Sequence, residues 1–173
     1  MHQFRYFFNT TRLPKPNQDI IDNHFKTRDE GSCPNHVVVM YKGNFHSFVP
    51  FADDNDVATP EQIEEALEAI LDKSLKNAIP ADENIGILSC ADRESWRINF
   101  KALEERNPAE MKKLNSAICL VILSDLEPQT YSDQLKWTYI NDTTDVWADK
   151  SLSFVSFKNG AIGSQSEVND NKH

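Results

Sequence analysis

The chain has 173 residues, 39% of them hydrophobic and 10% aromatic, which is enough for one domain with its own core. Eighteen basic against 27 acidic residues leave a formal charge of -9, which argues against nucleic acid or an anionic membrane surface as partner, because either needs a cationic face. No run reaches the roughly 18 apolar residues of a membrane span, and the N-terminus has neither the clean apolar stretch nor the cleavage site of a signal peptide, so no targeting signal is read.

Residues 1–35 are aromatic, then polar and proline-bearing (Pro14, Pro16, Pro34), and read as an extended arm and loop. His36–Tyr41 and Phe45–Phe51 are β-rich runs on either side of Lys42-Gly43-Asn44, the pattern of a hairpin. After the acidic loop 52–58, Thr59-Pro60-Glu61-Gln62 combines a capping box with proline at the first helical position. Ile63, Ala66, Leu67, Ile70, Leu71 and Leu75 follow at helical spacing, which predicts an amphipathic helix over 60–76.

Ile85–Ser89 reads as a short apolar strand. Trp96, Phe100 and Leu103 predict a helix over 92–106, and Asn107-Pro108 opens a shorter one to Leu114. Ala117–Leu123 is apolar on both faces, as in a central strand covered on both sides. Tyr131, Leu135 and Tyr139 mark another helix. Leu152–Phe157 alternates like a strand, and Asn159-Gly160 turns it into Ala161–Gln165. The order predicts an α/β layered domain, a mixed β-sheet flanked by helices, over 36–168, with 169–173 as an unstructured tail.

Residues with chemistry are scattered. Cys33, Cys90 and Cys119 are odd in number and lack metal-ligand spacing, so a zinc site or a disulfide framework is unsupported and a reducing compartment fits. Cys119 belongs to an apolar run, and Cys90 ends the expected strand without a histidine near it. Asp53, Asn55 and Glu64 fit three positions of a calcium loop, but Val57 and Ala58 break the template and a solvated loop is the better reading. His36 and His46 sit on opposite arms of the hairpin without further ligands. Asp149-Lys150-Ser151, just before a strand, reads as a turn or a buried ion pair. The sequons at Asn9 and Asn141 mean little without a secretory route. On these residues alone the reading stops at an α/β domain of unassigned function.

Longer motifs carry a resemblance. Met1–Pro16, M-H-Q-F-R-Y-F-F-N-T-T-R-L-P-K-P, resembles M-N-Q-Y-Y-R-L-F-N-S-T-R-L-P-K-P of the carnitine acyltransferase family, in its mitochondrial, palmitoyl-transferring branch. His36–Val39 with Lys42–Phe45 is similar to the family's L-L-V-L-R-K-G-N-F-Y, Ile87–Ser89 with Trp96 to its L-T-S…R-x-x-W, and Trp147–Ser151 to its R-W-[FY]-D-K-S.

The resemblance implies part of the N-terminal half of a two-domain α/β fold. It further implies acyl transfer between coenzyme A and carnitine in mitochondrial fatty acid oxidation, with no tightly bound cofactor and with acyl-CoA and carnitine as small-molecule partners. In the family a histidine in E-H-S-x-x-D acts as general base on the hydroxyl of carnitine. Here the glutamate matches Glu167, but Val168 occupies the histidine position and Asn169 that of the serine. His173 is five residues too far along. Val146 replaces the family's arginine, and Asn141-Asp142-Thr143 stands for its H-G-D-G. Met1 matches an internal methionine, and the second domain has no counterpart. The expectation is therefore a partial acyltransferase, inactive as given and prone to aggregate, with a non-catalytic pseudoenzyme or binding module of the same fold as the alternative.

Overall fold

The computed structural model describes residues 5–51, 56–139 and 144–166. Two short antiparallel strands, β1 (Thr10–Leu13) and β2 (Ile20–Asn23), form a ribbon within the arm that the sequence shows only as loop. The main sheet has five strands: β3 (Val37–Tyr41), β4 (Asn44–Phe48), β5 (Leu120–Ser124), β6 (Leu152–Phe157) and β7 (Ile162–Ser166). Their order is β4-β3-β5-β6-β7, parallel from β3 to β5 to β6 and antiparallel at both margins. This is the mixed α/β layered domain expected from the sequence.

The hairpins form where glycine permits. Lys42 and Gly43 both have positive φ, 49° and 76°, as a two-residue turn matched to strand twist requires. The carboxylate of Asp145 accepts from both their amides, at 2.7 and 2.8 Å, and fixes the turn.

Helix α1 (Pro60–Lys76) starts at the capping box read from the sequence, Thr59 accepting from the Gln62 amide. It lies on one face of the sheet at the β3–β4 end. Its buried residues are Ile70 and Ser74, whereas Leu75, expected inside, is 56% exposed. The Ser74 hydroxyl meets the His46 ring at 2.9 Å.

The opposite face carries the main core. Helices α2 (Arg93–Arg106) and α3 (Pro108–Ser116) bring Trp96, Phe100, Met111 and Leu114 onto Val38, Met40, Leu120, Ile122, Val155 and Phe157. Trp147 completes it, its ring edge-on to Trp96 at 5.2 Å and to Phe45 at 5.6 Å. Burial of a dozen such side chains is the main stabilising term, each contributing about 1.5–3 kcal/mol.

Two expectations need correction. Ile85–Cys90 is a 3-10 helix, not a strand: the Asn84 side chain accepts from the Gly86 amide and Ser89 donates back to the Gly86 carbonyl. Gly86 tolerates no side chain there, since a Cβ would stand 2.5 Å from both Met40 Cε and the Val146 carbonyl oxygen. Strand β5 is buried on one face only; Leu120, Ile122 and Ser124 are covered, while Val121 and Leu123 are half-buried. In α4 (Tyr131–Tyr139) the stripe Tyr131, Leu135 and Tyr139 faces outward, and Thr138 is the buried residue, packed on Gly163 of β7.

Candidate functional site

The densest polar constellation joins the arm to the segment entering β6. Three consecutive residues of each pair off. Arg12 donates its backbone amide to the Asp149 carbonyl at 2.8 Å, Thr11 bridges to Lys150, and the Ser151 amide and hydroxyl reach the Thr10 carbonyl at 3.2 and 2.8 Å. Thr10, Thr11 and Asp149 have no exposed surface, and Lys150 and Ser151 are buried.

Asp149 is held from two sides. Arg12 Nε and Nη2 donate to its Oδ1 at 2.9 and 2.6 Å, and the Trp96 indole N–H donates to Oδ2 at 2.5 Å. Burial pushes the Asp149 carboxyl up, while the Trp96 and Arg12 donors pull it back. A second arginine joins through the loop after β1: Asp19 accepts from Arg93 at 2.9 Å and from Arg12 at 3.4 Å. Arg93 also donates to the Lys15 carbonyl at 2.7 Å.

Lys150 points the other way. Its Nζ donates to three neutral oxygens: the Asn115 carbonyl at 2.8 Å, Thr11 Oγ1 at 3.2 Å and the Leu114 carbonyl at 3.4 Å. Two of these are carbonyls at the end of α3, where a cation is favoured. Burial nevertheless dominates and pushes the ammonium down to about 7.

Every side-chain polar atom of Asp149, Lys150 and Ser151 has a protein partner. The cluster therefore acts as a clamp, tying arm, α2, α3 and β6 together. Both readings of Asp149-Lys150-Ser151 are realised: the chain turns at Ala148 and Asp149, and Asp149 forms a buried ion pair, with Arg12 rather than Lys150 as partner. Ser166, the last residue of β7, pairs with Leu152, directly after Ser151. Glu167, Val168, Asn169 and His173 lie outside the described residues, as do Met1, Asp53, Asn55 and Asn141–Thr143.

The remaining candidates are not brought together. His36 bonds the Lys113 carbonyl at 2.8 Å, and His46 bonds Ser74. Burial, then nearby Lys73, pushes the His46 ring down. His24 pairs with Asp22 at 2.9 Å. Each described histidine is thus engaged away from Cys90, which is exposed at the end of the 3-10 helix rather than of a strand. Cys119 is buried as expected, its thiol pushed up by burial, while Cys33 is half-buried against Asn9. Glu64 is exposed on α1, and among the described residues no group of three or more His, Cys, Asp or Glu could hold a metal ion. No described helix is long and apolar enough to cross a membrane.

Comparison with known proteins follows the same residues. The family model described as Choline/Carnitine o-acyltransferase matches residues 1–168. The chain belongs to that family. Human peroxisomal carnitine O-octanoyltransferase is 31% identical over 170 residues, covering 94% of this chain and 27% of the relative. Human mitochondrial carnitine O-palmitoyltransferase 2 is 29% identical over 163 residues, covering 93% and 23%. A highly reducing polyketide synthase, ltbA of Aspergillus luteorubrus, is 29% identical over 165 residues, 94% of this chain and 5% of its own.

This acyltransferase-family chain spans about a quarter of the length of the carnitine acyltransferases it matches. The comparisons do not single out the mitochondrial, palmitoyl-transferring branch, since the octanoyl-named peroxisomal relative matches at least as well. The clamp residues that the residue-level reading passed over are Arg12, Thr10, Thr11 and Trp96. The signal for them was present in the family-like N-x-T-R run and the W of R-x-x-W, but nothing local says that these reach Asp149.

Proposed function

We propose that the chain is a segment of a carnitine O-acyltransferase that moves a long fatty acyl group, as in palmitoyl-CoA, between coenzyme A and carnitine in mitochondrial fatty acid oxidation. Coenzyme A and carnitine are substrates in this reading, and no tightly bound cofactor is required. The observation that carries it is the Ser166–Leu152 register: the strand leading to Glu167 and Val168 ends beside the buried Asp149–Lys150–Ser151 clamp. Such a clamp fixes the end of β7 against the segment entering β6, and a rigid scaffold of that kind is what precise positioning in an active site requires.

These 173 residues do not themselves transfer acyl groups in this account. A base must take the proton from the carnitine hydroxyl as it attacks the thioester carbonyl, and then return a proton to the departing thiol. Valine at position 168 has no atom that can do so. The segment contributes the scaffold, and the base must come from elsewhere in the parent protein.

Sequencing the transcript on both sides of these codons tests the reading. An open frame that continues into an E-H-S-like motif and a further domain supports it. A natural stop after residue 173, with a soluble product that unfolds cooperatively, supports a non-catalytic binding module of the same fold.

A further inference from the structure

Trp96 and Trp147 stand edge to face in the core, yet their indole N–H groups fare differently. Trp96 donates to Asp149, whereas Trp147 Nε1 is buried and has no hydrogen-bond partner among the described residues. Trp147 is 2% exposed, and an indole N–H buried to that degree ordinarily finds an acceptor. The group is a donor only, so what it lacks is an acceptor atom.

Trp147 also lines a cavity of about 340 Å³. It is separate from the clamp: neither Arg12, Trp96 nor Asp149 borders it. Met111 and Leu114 of α3, both buried, line it with Trp147, and the half-buried Phe45 and Leu103 add apolar walls. The exposed part of the lining includes two carboxylates, Glu83 and Glu110, and among the described residues no lysine, arginine or histidine lines it. The volume lies at the lower end for small-molecule sites, whose usual make-up is apolar walls with a few polar groups.

Each of these features selects for a property of the occupant. The walls favour an apolar body, which leaves water on entry. The unmet N–H favours an oxygen acceptor on that body. Glu83 and Glu110, on a chain of formal charge -9, oppose an anion. We infer that the cavity binds a small, uncharged, mainly apolar molecule whose hydroxyl or carbonyl oxygen accepts from Trp147 Nε1. A carboxylate or a phosphorylated molecule is the wrong chemistry for it. The site needs neither coenzyme A nor carnitine, so it stands or falls independently of the acyltransferase reading.

The test is titration of the isotopically labelled chain with hexanol, followed by NMR at the indole N–H signals of Trp96, Trp137 and Trp147. Hexanol should move the Trp147 proton downfield and saturably, with the other two unmoved. Hexanoate, the same carbon chain with a charge, should bind at least about tenfold more weakly. Glu83→Gln combined with Glu110→Gln should narrow that difference and leave hexanol binding unchanged. Trp147→Phe keeps the apolar lining without the donor and should weaken hexanol about fivefold, read from the methyl signals of Met111 and Leu114. Should Trp147→Phe fail to fold, hexanol against hexanoate in the wild type and the glutamine variant decides alone, with the Trp147 signal assigned through its contact with Phe45. A Trp147 proton that hexanol leaves in place, as when it points at the Trp96 or Phe45 ring, overturns the inference. So do equal shifts at all three indoles, hexanoate binding as tightly as hexanol, or hexanol affinity unchanged in Trp147→Phe.

Discussion

Arg12 and Asp149 are 137 residues apart in sequence and joined three times in space: through Arg12 Nε, through Arg12 Nη2 and through the Arg12 amide on the Asp149 carbonyl. Asp149 is wholly buried, while the arginine side chain keeps 26% exposure. The arm is therefore part of the domain's polar core, and the chain entering β6 depends on it.

Asp149→Ala leaves the Arg12 guanidinium and the Trp96 indole without their acceptor. Removing one partner of a buried pair is the costly change, about 3–5 kcal/mol, and the partial exposure of Arg12 moves the expectation to about 2–4 kcal/mol. Urea unfolding with an unchanged slope should show a midpoint lowered by that free energy divided by the slope. Arg12→Met should cost less, because Trp96 still donates to the carboxylate.

Lys150 makes stability depend on pH in a direction opposite to acid-stabilised pairs. The unfolded chain keeps this proton up to about pH 10.5 and the folded chain only up to about 7. Between those limits the unfolded state binds more protons, so stability rises with pH; below both values the contribution is flat. Urea midpoints taken from about pH 6 to about pH 9 should rise in the wild type, and Lys150→Met should remove that rise.

Gly163→Ala tests the packing of α4 on β7. The added Cβ would lie 1.9 Å from Thr138 Oγ1 and 2.8 Å from Thr138 Cβ, so the helix must move. Overpacking of this kind costs about 1–3 kcal/mol. Thr138→Ala in the same chain should recover part of the loss, because it removes two of the three opposing atoms, and thermal unfolding of the single and double variants measures the recovery.

Local signals were readable where they are self-contained. Thr59, Pro60 and Gln62 define the start of α1 to the residue, and Lys42-Gly43 identifies its turn, because capping and positive φ depend on a few neighbouring atoms. Ile85–Cys90 was misread because a short apolar run fits a strand or a buried turn equally well. The stripe Tyr131, Leu135 and Tyr139 marks α4 correctly as a helix, but spacing marks a face without saying what covers it, and this one is exposed. Thr10, Thr11 and Arg12 look like surface residues, yet the threonines are buried and Arg12 is half-buried, held by hydrogen bonds to partners over a hundred positions away, which no local pattern encodes. Of the site, the Asp149-Lys150-Ser151 segment was legible through a family-like motif; the clamp's membership was not.

The central claim is that these residues build an acyltransferase scaffold without its base. Carnitine-dependent release of the coenzyme A thiol, from palmitoyl-CoA and from octanoyl-CoA, measures it on the purified chain. The account predicts no release above the protein-free rate with either thioester. Carnitine-dependent turnover by the chain with Val168 in place would contradict it.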